Sequence, residues 1–339
     1  MRRIAAVVTG ILLLAAPPLA ARQFTDSAGR VVDVPERVAH VFPAGPPAAI
    51  ILYMLAPDRL IGWTRAPTAA ERAFLPPAYA DLPELGRLTG RGNTTSLEDV
   101  VRRAPDLVLD IGSTAETYAS LADRVQQQTR IPDVLIDGRL ADAAATFRRV
   151  GVLLDVGARA EELARYAEET LAEVRQRTDQ VPQERRPKVY FARGPKGLET
   201  GAQGSINMEA LDFVAARNVA AENLGPGGIV TVSAEQVLAW QPEVIVTFNR
   251  EFYASVGSDP LWQGVAAVRD KRVYLAPDLP FGWVDAPPSA NRLIGIRWLA
   301  KMLYPDLFPA DLRAETRRFY TLFYHQAPTD QQLDVLLGR

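Results

Sequence analysis

The stretch SLEDVVRRAPDLVLDI, at residues 96–111, decides the fold, because SAEQVLAWQPEVIVTF at residues 233–248 repeats its pattern. Each copy starts with a serine, has a glutamate two positions later, and continues into a short helical stretch. Such a serine is a typical helix N-cap, and Asp99 or Gln236, three positions on, can complete a capping box. The proline that follows predicts the end of the helix, and the next apolar run is typical of a strand buried in a parallel sheet. The two copies therefore predict two similar α/β units.

A long helix is predicted between the two units. Residues 159–178, RAEELARYAEETLAEVRQRT, consist mainly of Ala, Glu, Leu and Arg, which are strong helix formers. Twenty helical residues span about 30 Å, so this segment can connect two lobes with one stiff element. Pro182 and Pro187 predict its end, and residues 188–192, KVYFA, predict the first strand of the second unit.

The first 21 residues predict an export signal. Arg2 and Arg3 precede an apolar run from Ile4 to Ala16, and prolines and small residues follow, which is typical of a cleaved signal peptide. A membrane-spanning helix needs roughly 20 apolar residues, which is more than this run contains. The chain has no cysteine that could carry a lipid. We therefore expect a periplasmic protein that is not lipidated and is cleaved after Ala20 or Ala21.

Composition and charge argue against several classes of function. A chain of 339 residues suits two domains, and a net charge of −2 argues against a nucleic-acid partner. The chain has two histidines, His40 and His325, and no cysteine, so we expect no metal site, no cofactor and no catalytic residue. The motifs of common hydrolases and nucleotide-binding enzymes do not occur, which leaves a periplasmic enzyme on a similar fold as a remote alternative.

Four segments carry a resemblance to a known class of protein. They are FTDSAGR with VPERV at 24–38, PDRLIG at 57–62, the paired repeats, and PFGW with PPSANRLIGIRWL at 280–299. Together they resemble class III periplasmic binding proteins, which have a helical backbone and serve ABC importers of iron-siderophores, haem, cobalamin and molybdate. The resemblance implies an α/β fold with two Rossmann-like lobes, a single long α-helix joining them, and a ligand cleft between the lobes. It also implies that the lobes hinge little.

The resemblance assigns boundaries and partners. We expect a signal peptide at 1–21, an N-terminal α/β lobe at 22–157, an inter-lobe helix at 158–182, and a C-terminal α/β lobe with terminal helices at 183–339. The expected partners are an inner-membrane ABC permease dimer and a small-molecule ligand, with the binding protein itself a monomer. In the class, the glutamate of each repeat pairs with arginines of the permease, which implies that Glu98 and Glu235 are docking residues.

Ligand contacts are expected where strands end and helices begin, at the interface of the lobes. The prolines after the first strand are expected to start a helix with its backbone donors facing the cleft. Aromatic side chains are candidates for stacking on a ligand, and arginines are candidates for an anion. The predicted ligand-binding residues are Phe42, Pro43, Gly45, Arg87, Arg91, Asn93, Ser113, Thr114, Gln203, Phe281, Trp283, Asp285 and Ser289.

The sequence leaves the ligand open between two classes. An iron chelate of the ferric siderophore type, or a corrinoid, would use a wide cleft with aromatic walls and arginines at its rim. Molybdate or tungstate would use helix N-termini with hydroxyl donors such as Ser113, Thr114 and Ser289. Haem is disfavoured, because Arg87 stands where haem binders of the class have a tyrosine after the residue that corresponds to Gly86.

Overall fold

The structure, a computed structural model, describes residues 21–90 and 92–338. The predicted signal peptide therefore lies almost wholly outside the described residues. The strands are β1 Ala21–Thr25, β2 Val31–Pro35, β3 Val41–Pro43, β4 Leu107–Gly112, β5 Asp133–Asp137, β6 Lys188–Ala192, β7 Glu199–Gly201, β8 Arg217–Asn218, β9 Ile229–Thr231, β10 Val244–Thr247 and β11 Val273–Leu275. The helices are α1 Pro46–Leu55, α2 Ala69–Arg72, α3 Pro77–Ala80, α4 Leu97–Arg103, α5 Glu116–Thr129, α6 Ala143–Leu153, α7 Gly157–Thr178, α8 Glu209–Phe213, α9 Val219–Asn223, α10 Ala234–Trp240, α11 Arg250–Ser255, α12 Ala266–Arg269, α13 Arg292–Leu303, α14 Leu312–Phe323 and α15 Asp330–Leu337.

The repeated segments fold alike at both ends of their helices. Ser96 accepts a hydrogen bond from the Asp99 N–H at 3.1 Å, and Ser233 accepts one from the Gln236 N–H at 3.2 Å. Both helices have a complete capping box, as the sequence predicts. Each also ends in a residue with positive φ, Ala104 or Gln241, directly before the proline.

The acidic residue after each proline joins its repeat to the neighbouring strand. The Asp106 carboxylate accepts hydrogen bonds from the backbone N–H groups of Ala39 and His40 at 2.7 and 2.8 Å. The Glu243 carboxylate accepts one from the Lys188 N–H at 3.0 Å. Both acids thus satisfy backbone donors where a neighbouring strand begins, which explains why the two copies share the Pro-acid pair.

Each lobe has its own parallel sheet. In the N-terminal lobe the order is β3-β4-β5, with Phe42 opposite Val108. In the C-terminal lobe it is β11-β10-β6-β8, with Ile245 opposite Tyr190. The repeat strand therefore lies between an earlier and a later strand in both sheets. The fold is α/β with two Rossmann-like lobes, as predicted.

The long helix α7 lies between the two lobes, and the core is continuous through it. At 1.5 Å per residue its 22 residues extend about 33 Å. One hydrophobic cluster contains Val134 of the first sheet, Leu163 and Val174 of α7, and Val246 of the second sheet. Because both lobes share this core, they are fixed to a common backbone. The division of the chain at residues 157 and 182 stays a prediction.

A buried arginine also connects the lobes. Arg292, at the start of α13, donates hydrogen bonds to the Gly138 carbonyl at 2.7 Å and to the Ile206 carbonyl at 3.0 Å. It also pairs with Glu209 at 2.8 Å, and that carboxylate accepts a hydrogen bond from the Leu140 N–H. Burial lowers the pKa of Arg292 against the opposing effect of Glu209. The network therefore bonds the end of β5 to the C-terminal lobe.

None of the helices in residues 21–90 and 92–338 is long and apolar enough to cross a membrane.

Candidate ligand-binding cleft

A cleft of about 560 Å³ opens at the carboxyl ends of the strands, between the two lobes. The N-terminal lobe contributes the start of α1, the 63–71 and 87–90 segments, the end of β4 and Tyr118 of α5. The C-terminal lobe contributes the residue after β6, the 206–207 segment and the 281–288 loop. Parallel sheets commonly bind ligands at this edge, because their loops converge there.

The floor on the N-terminal side carries a buried carboxylate. Asp110, in β4, is 6% exposed and accepts a hydrogen bond from the Thr89 hydroxyl at 3.1 Å. Burial raises the pKa of Asp110 to about 6, against hydrogen bonds from Thr89 and the Ile111 backbone that lower it. Gly45 is required beside them, since a Cβ there would lie 2.6 Å from the Thr89 hydroxyl oxygen.

The prolines at the start of α1 change what this helix can offer a ligand. Pro46 and Pro47 occupy its first two positions. Proline has no N–H, so two of the backbone donors that usually point out of a helix N-terminus are missing here. The prolines start the helix, as the sequence predicts, and the expectation that its other backbone donors face the cleft stays a prediction.

The opposite wall holds an ion pair. Arg193 directly follows β6 and pairs with Asp285, whose side chain is fully buried. Asp285 also accepts a hydrogen bond from the Asn207 amide at 2.7 Å, and the Arg193 guanidinium lies 5.2 Å from the Phe248 ring centroid. These contacts hold the guanidinium in one orientation at the cleft surface.

Aromatic side chains and a second ion pair form the rest of the wall. Phe281 lies 5.7 Å from Trp63 and 6.3 Å from Tyr53, centroid to centroid, so aromatic residues of both lobes meet here. Arg65 pairs with Glu71 at 2.5 Å. Burial opposes the ionisation of Glu71, but the hydrogen bonds from Arg65 and Thr68 outweigh it and lower its pKa. The cleft therefore combines apolar surface with fixed charges of both signs.

The family is decided by a match over most of the chain. Residues 60–279 match the family model described as periplasmic binding protein. The chain belongs to the periplasmic binding protein family. Its solved relatives place it in class III of that family, as the sequence predicts.

Similarity to individual proteins is partial in sequence and nearly complete in structure. This periplasmic binding protein is 33% identical over 151 residues to the molybdate-binding protein MolA of Haemophilus influenzae, covering 44% of this chain and 42% of that one. It is 26% identical over 223 residues to an uncharacterized ABC transporter substrate-binding lipoprotein of Bacillus subtilis, covering 63% and 66%. An ABC transporter solute binding protein from Sulfurospirillum deleyianum superposes with a TM-score of 0.85 at 29% identity, covering 94% and 99%.

The structure brings some of the predicted ligand residues of this binding protein to the cleft. Arg87, Ser113, Phe281 and Asp285 line it. Arg87 is held by a hydrogen bond from its Nε to the Gly92 carbonyl at 2.8 Å. Arg91 lies outside the described residues.

Other predicted residues do not line the cleft. Trp283 is fully buried and donates its indole N–H to the Tyr320 hydroxyl at 3.1 Å, so it packs the core instead of forming a stacking platform. Ser289 is buried and directed at the Pro47 carbonyl. The remaining predicted residues lie in the core, in a strand, in a tight turn or at the surface outside the cleft. They are Phe42, Pro43, Gly45, Asn93, Thr114 and Gln203.

Sequence reasoning missed several cleft residues. Arg193 follows the predicted strand KVYFA directly, and Asp110 interrupts the apolar run LVLDI, so both carried a signal in the sequence. The same rule of polar residues at strand ends finds Thr64 and Arg65 after the segment PDRLIG. Asn207 had no such signal, because its position depends on its bond to Asp285. Among the described residues, no group of three metal-ligating side chains is arranged to hold an ion.

Asp110→Asn is expected to stabilise the ligand-free protein at neutral pH. A carboxyl whose pKa rises on folding, here from 3.8 to about 6, stabilises the folded state below pH 3.8. This stabilisation by the protonated carboxyl is lost as the pH rises through about 6, where Asp110 ionises in the folded protein. Asparagine keeps the acceptor for Thr89 without the charge, so we expect a gain of about 3 kcal/mol in the free energy of unfolding at pH 8.

Urea unfolding of both proteins between pH 5 and pH 8 measures this gain. The difference should stay near its full value down to about pH 6 and shrink between pH 6 and pH 5. A variant that is less stable than the wild type at pH 8 would show that the carboxylate holds the fold together.

Proposed function

We propose that this chain is the substrate-binding component of an ABC importer, acting in the periplasm after export. The observation that carries the proposal is the cleft between the lobes, where Arg193, Asp110 and Phe281 face the same space from different elements. Relatives described as ABC transporter binding proteins support it. We propose binding and release without catalysis, by a monomer that carries no lipid.

The ligand we propose is an intact metal chelate, of the ferric siderophore type, or a corrinoid. Pockets for molecules of this size measure about 300–1,000 Å³, which includes the 560 Å³ of this cleft. The apolar side chains of Trp63, Ile206 and Phe281 suit the organic part of a chelate. Arg87, Ser113 and Asp285 are the proposed polar contacts among the predicted residues.

Molybdate or tungstate is the second candidate. The 33% identity to a molybdate-binding protein favours it. A tetrahedral oxyanion takes the space of only a few water molecules, on the order of 100 Å³, so it would occupy one corner of the cleft. Arg87 and Ser113 would bind it there, or the arginines of the two ion pairs would exchange their carboxylate partners for the anion.

Calorimetric titration of ligand-stripped protein separates the candidates. Ferric siderophores, cobalamin, molybdate and tungstate are the titrants, and elemental analysis of the protein as isolated is the companion measurement. We expect saturable one-to-one binding of a chelate or corrinoid. Binding of the oxyanions alone would select the second candidate, and binding of none would contradict the proposal.

We propose Glu98 and Glu235 as the residues that dock on the permease. Both are exposed, and both occupy the second position of a helix whose N-cap is a serine. Hydrogen bonds from Ser233 and from the backbone lower the pKa of Glu235, so its carboxylate is charged. One carboxylate per lobe fits a permease made of two similar halves, since rim charges orient partners.

The double variant Glu98→Ala/Glu235→Ala is expected to lower ligand uptake by about tenfold or more, because the charges that orient docking are gone. Its ligand affinity should equal that of the wild type. Transport into proteoliposomes containing the partner permease measures the first quantity, and calorimetry measures the second.

Glu251→Ala is the matched control for docking. Glu251 is an exposed first-turn glutamate of α11 that lies outside the repeats. Uptake with this variant should stay at the wild-type rate. An equal loss of uptake in the control and in the double variant would show that the glutamates of the repeats are not specific docking residues.

A further inference from the structure

We propose that Asp110 makes the cleft select ligands that present a hydrogen-bond donor, such as an amide N–H, a hydroxyl or a metal-bound water. It thereby discriminates against solutes whose surface carries only acceptor oxygens. The inference rests on the proposed function and deepens it, because it assigns a ligand class to one residue of the cleft.

The first support is the set of partners of Asp110. A carboxylate can accept about four hydrogen bonds, and the recorded donors are the Thr89 hydroxyl and the Ile111 backbone. Within residues 21–90 and 92–338, no basic side chain forms an ion pair with it. Its acceptor capacity at the cleft surface is therefore incompletely used.

The second support is the way the cations of the cleft are held. Arg193 is paired with Asp285, and Arg65 is paired with Glu71. Arg87, the third arginine that lines the cleft, donates to the Gly92 carbonyl at 2.8 Å. A wall built to neutralise a small dianion would instead leave such groups directed at the anion. Here a buried carboxylate faces the cavity, and an acceptor-only anion beside it meets a like charge in surroundings of low dielectric.

The third support is the missing backbone donors of α1. Pro46 and Pro47 remove two N–H groups beside Asp110, and the rest of that helix carries no charged side chain. An oxyanion in this corner would find a carboxylate and few donors. A ligand that brings its own donor satisfies Asp110 and needs no backbone N–H.

Other charged groups surround Asp110 and enter any pH dependence. The neighbouring strand β5 carries Asp133, which interacts electrostatically with Asp110 and is itself buried. The charged or titratable groups that line the same cleft are Arg65, Glu71, Arg87, Tyr118, Arg193 and Asp285. Hydrogen bonds from Arg65 and Thr68 lower the pKa of Glu71, so Glu71 is expected to take up a proton only after Asp110.

The test compares ligand-stripped wild type, Asp110→Asn and Asp110→Ala by calorimetry at pH 8. The probes are ferrioxamine B and cyanocobalamin, which carry amide N–H groups, and molybdate, which carries only acceptor oxygens. We expect the wild type to bind one of the first two and to bind molybdate at least about a hundredfold more weakly. In both variants the ratio of the chelate or corrinoid affinity to the molybdate affinity should fall about tenfold or more, because the chelate or corrinoid binds more weakly and molybdate binds more tightly.

A pH arm checks that the charge is responsible. The ratio of the chelate or corrinoid affinity to the molybdate affinity should fall toward pH 5 in the wild type. In Asp110→Asn this ratio should stay constant over the same pH range. Circular dichroism melting confirms that each variant is folded, and Asp110→Ala covers the case in which asparagine supplies a donor of its own, because alanine has none.

The binding results distinguish a failure of the inference about Asp110 from a failure of the proposed function. Chelate or corrinoid binding that is unchanged in both variants overturns the inference and leaves the proposed function intact. Tight molybdate binding by the wild type at pH 8 also overturns the inference, and it selects the oxyanion as the transported solute. Absence of binding for every probe contradicts the proposed ligand classes, and the inference falls with them.

Discussion

Replacing Arg193 with alanine is expected to weaken ligand binding by about a hundredfold or more, which corresponds to about 2.7 kcal/mol. The guanidinium is a charged donor at the cleft surface, held in place by Asp285 and by the Phe248 ring. Its removal deletes that donor and also leaves the fully buried Asp285 carboxylate without its cation. Uncompensated negative charge then faces an anionic or electron-rich ligand. Calorimetric titration with the ligand identified for the wild type measures the loss.

Two further variants define what Arg193 does. Arg193→Lys should recover only part of the affinity, because an ammonium keeps the charge but not the planar pair of donors. Arg139→Ala is the matched control, since Arg139 follows β5 at the carboxyl edge of the N-terminal sheet, has a side chain that is 66% exposed and does not line the cleft. Its dissociation constant should stay within about twofold of the wild type. Affinity retained in Arg193→Ala would place the ligand outside this cleft.

Arg292→Met is expected to destabilise the protein by about 3–5 kcal/mol, the usual effect of removing one partner of a buried ion pair. The substitution removes the cation that pairs with Glu209 and the donor to the carbonyls of Gly138 and Ile206. Because Gly138 belongs to the N-terminal lobe, the contact between the lobes is lost together with the stability. Urea unfolding gives the change in the free energy of unfolding.

The double variant Arg292→Met/Glu209→Met should recover part of that loss, because apolar side chains replace both charges. Arg148→Met is the control, as Arg148 forms an exposed pair with Glu161 and should not change the melting temperature. If Arg292→Met melts like the wild type, the network is not what fixes the lobes to each other.

The architecture could be predicted from the sequence because its signals are local. Serine caps, terminal prolines and apolar runs act within a few residues, so both repeats fold as expected. The helix predicted at 159–178 forms as α7 for the same reason. These features depend on backbone preferences that neighbouring residues determine.

The cleft could be predicted only in part, because side-chain direction depends on distant contacts. Phe281 and Trp283 share one loop, yet Phe281 faces Trp63 across the lobes whereas Trp283 turns to Tyr320 in α14. Nothing within the loop distinguishes them. Asp110 and Arg193, in contrast, were marked by their positions in and after predicted strands, and attention to polar residues at strand ends would have found both.

Anomalous diffraction from crystals of the protein with its bound ligand shows whether the cleft between the lobes holds the transported solute. Iron, cobalt, molybdenum and tungsten each give a signal at their absorption edge, so one map locates the metal of any candidate ligand. We expect a single peak in the cleft, with ligand atoms in contact with residues of both lobes, Arg193 and Asp110 among them. A peak elsewhere, such as the arginine-lined groove between α7 and α14, or a ligand that touches one lobe only, would contradict this expectation.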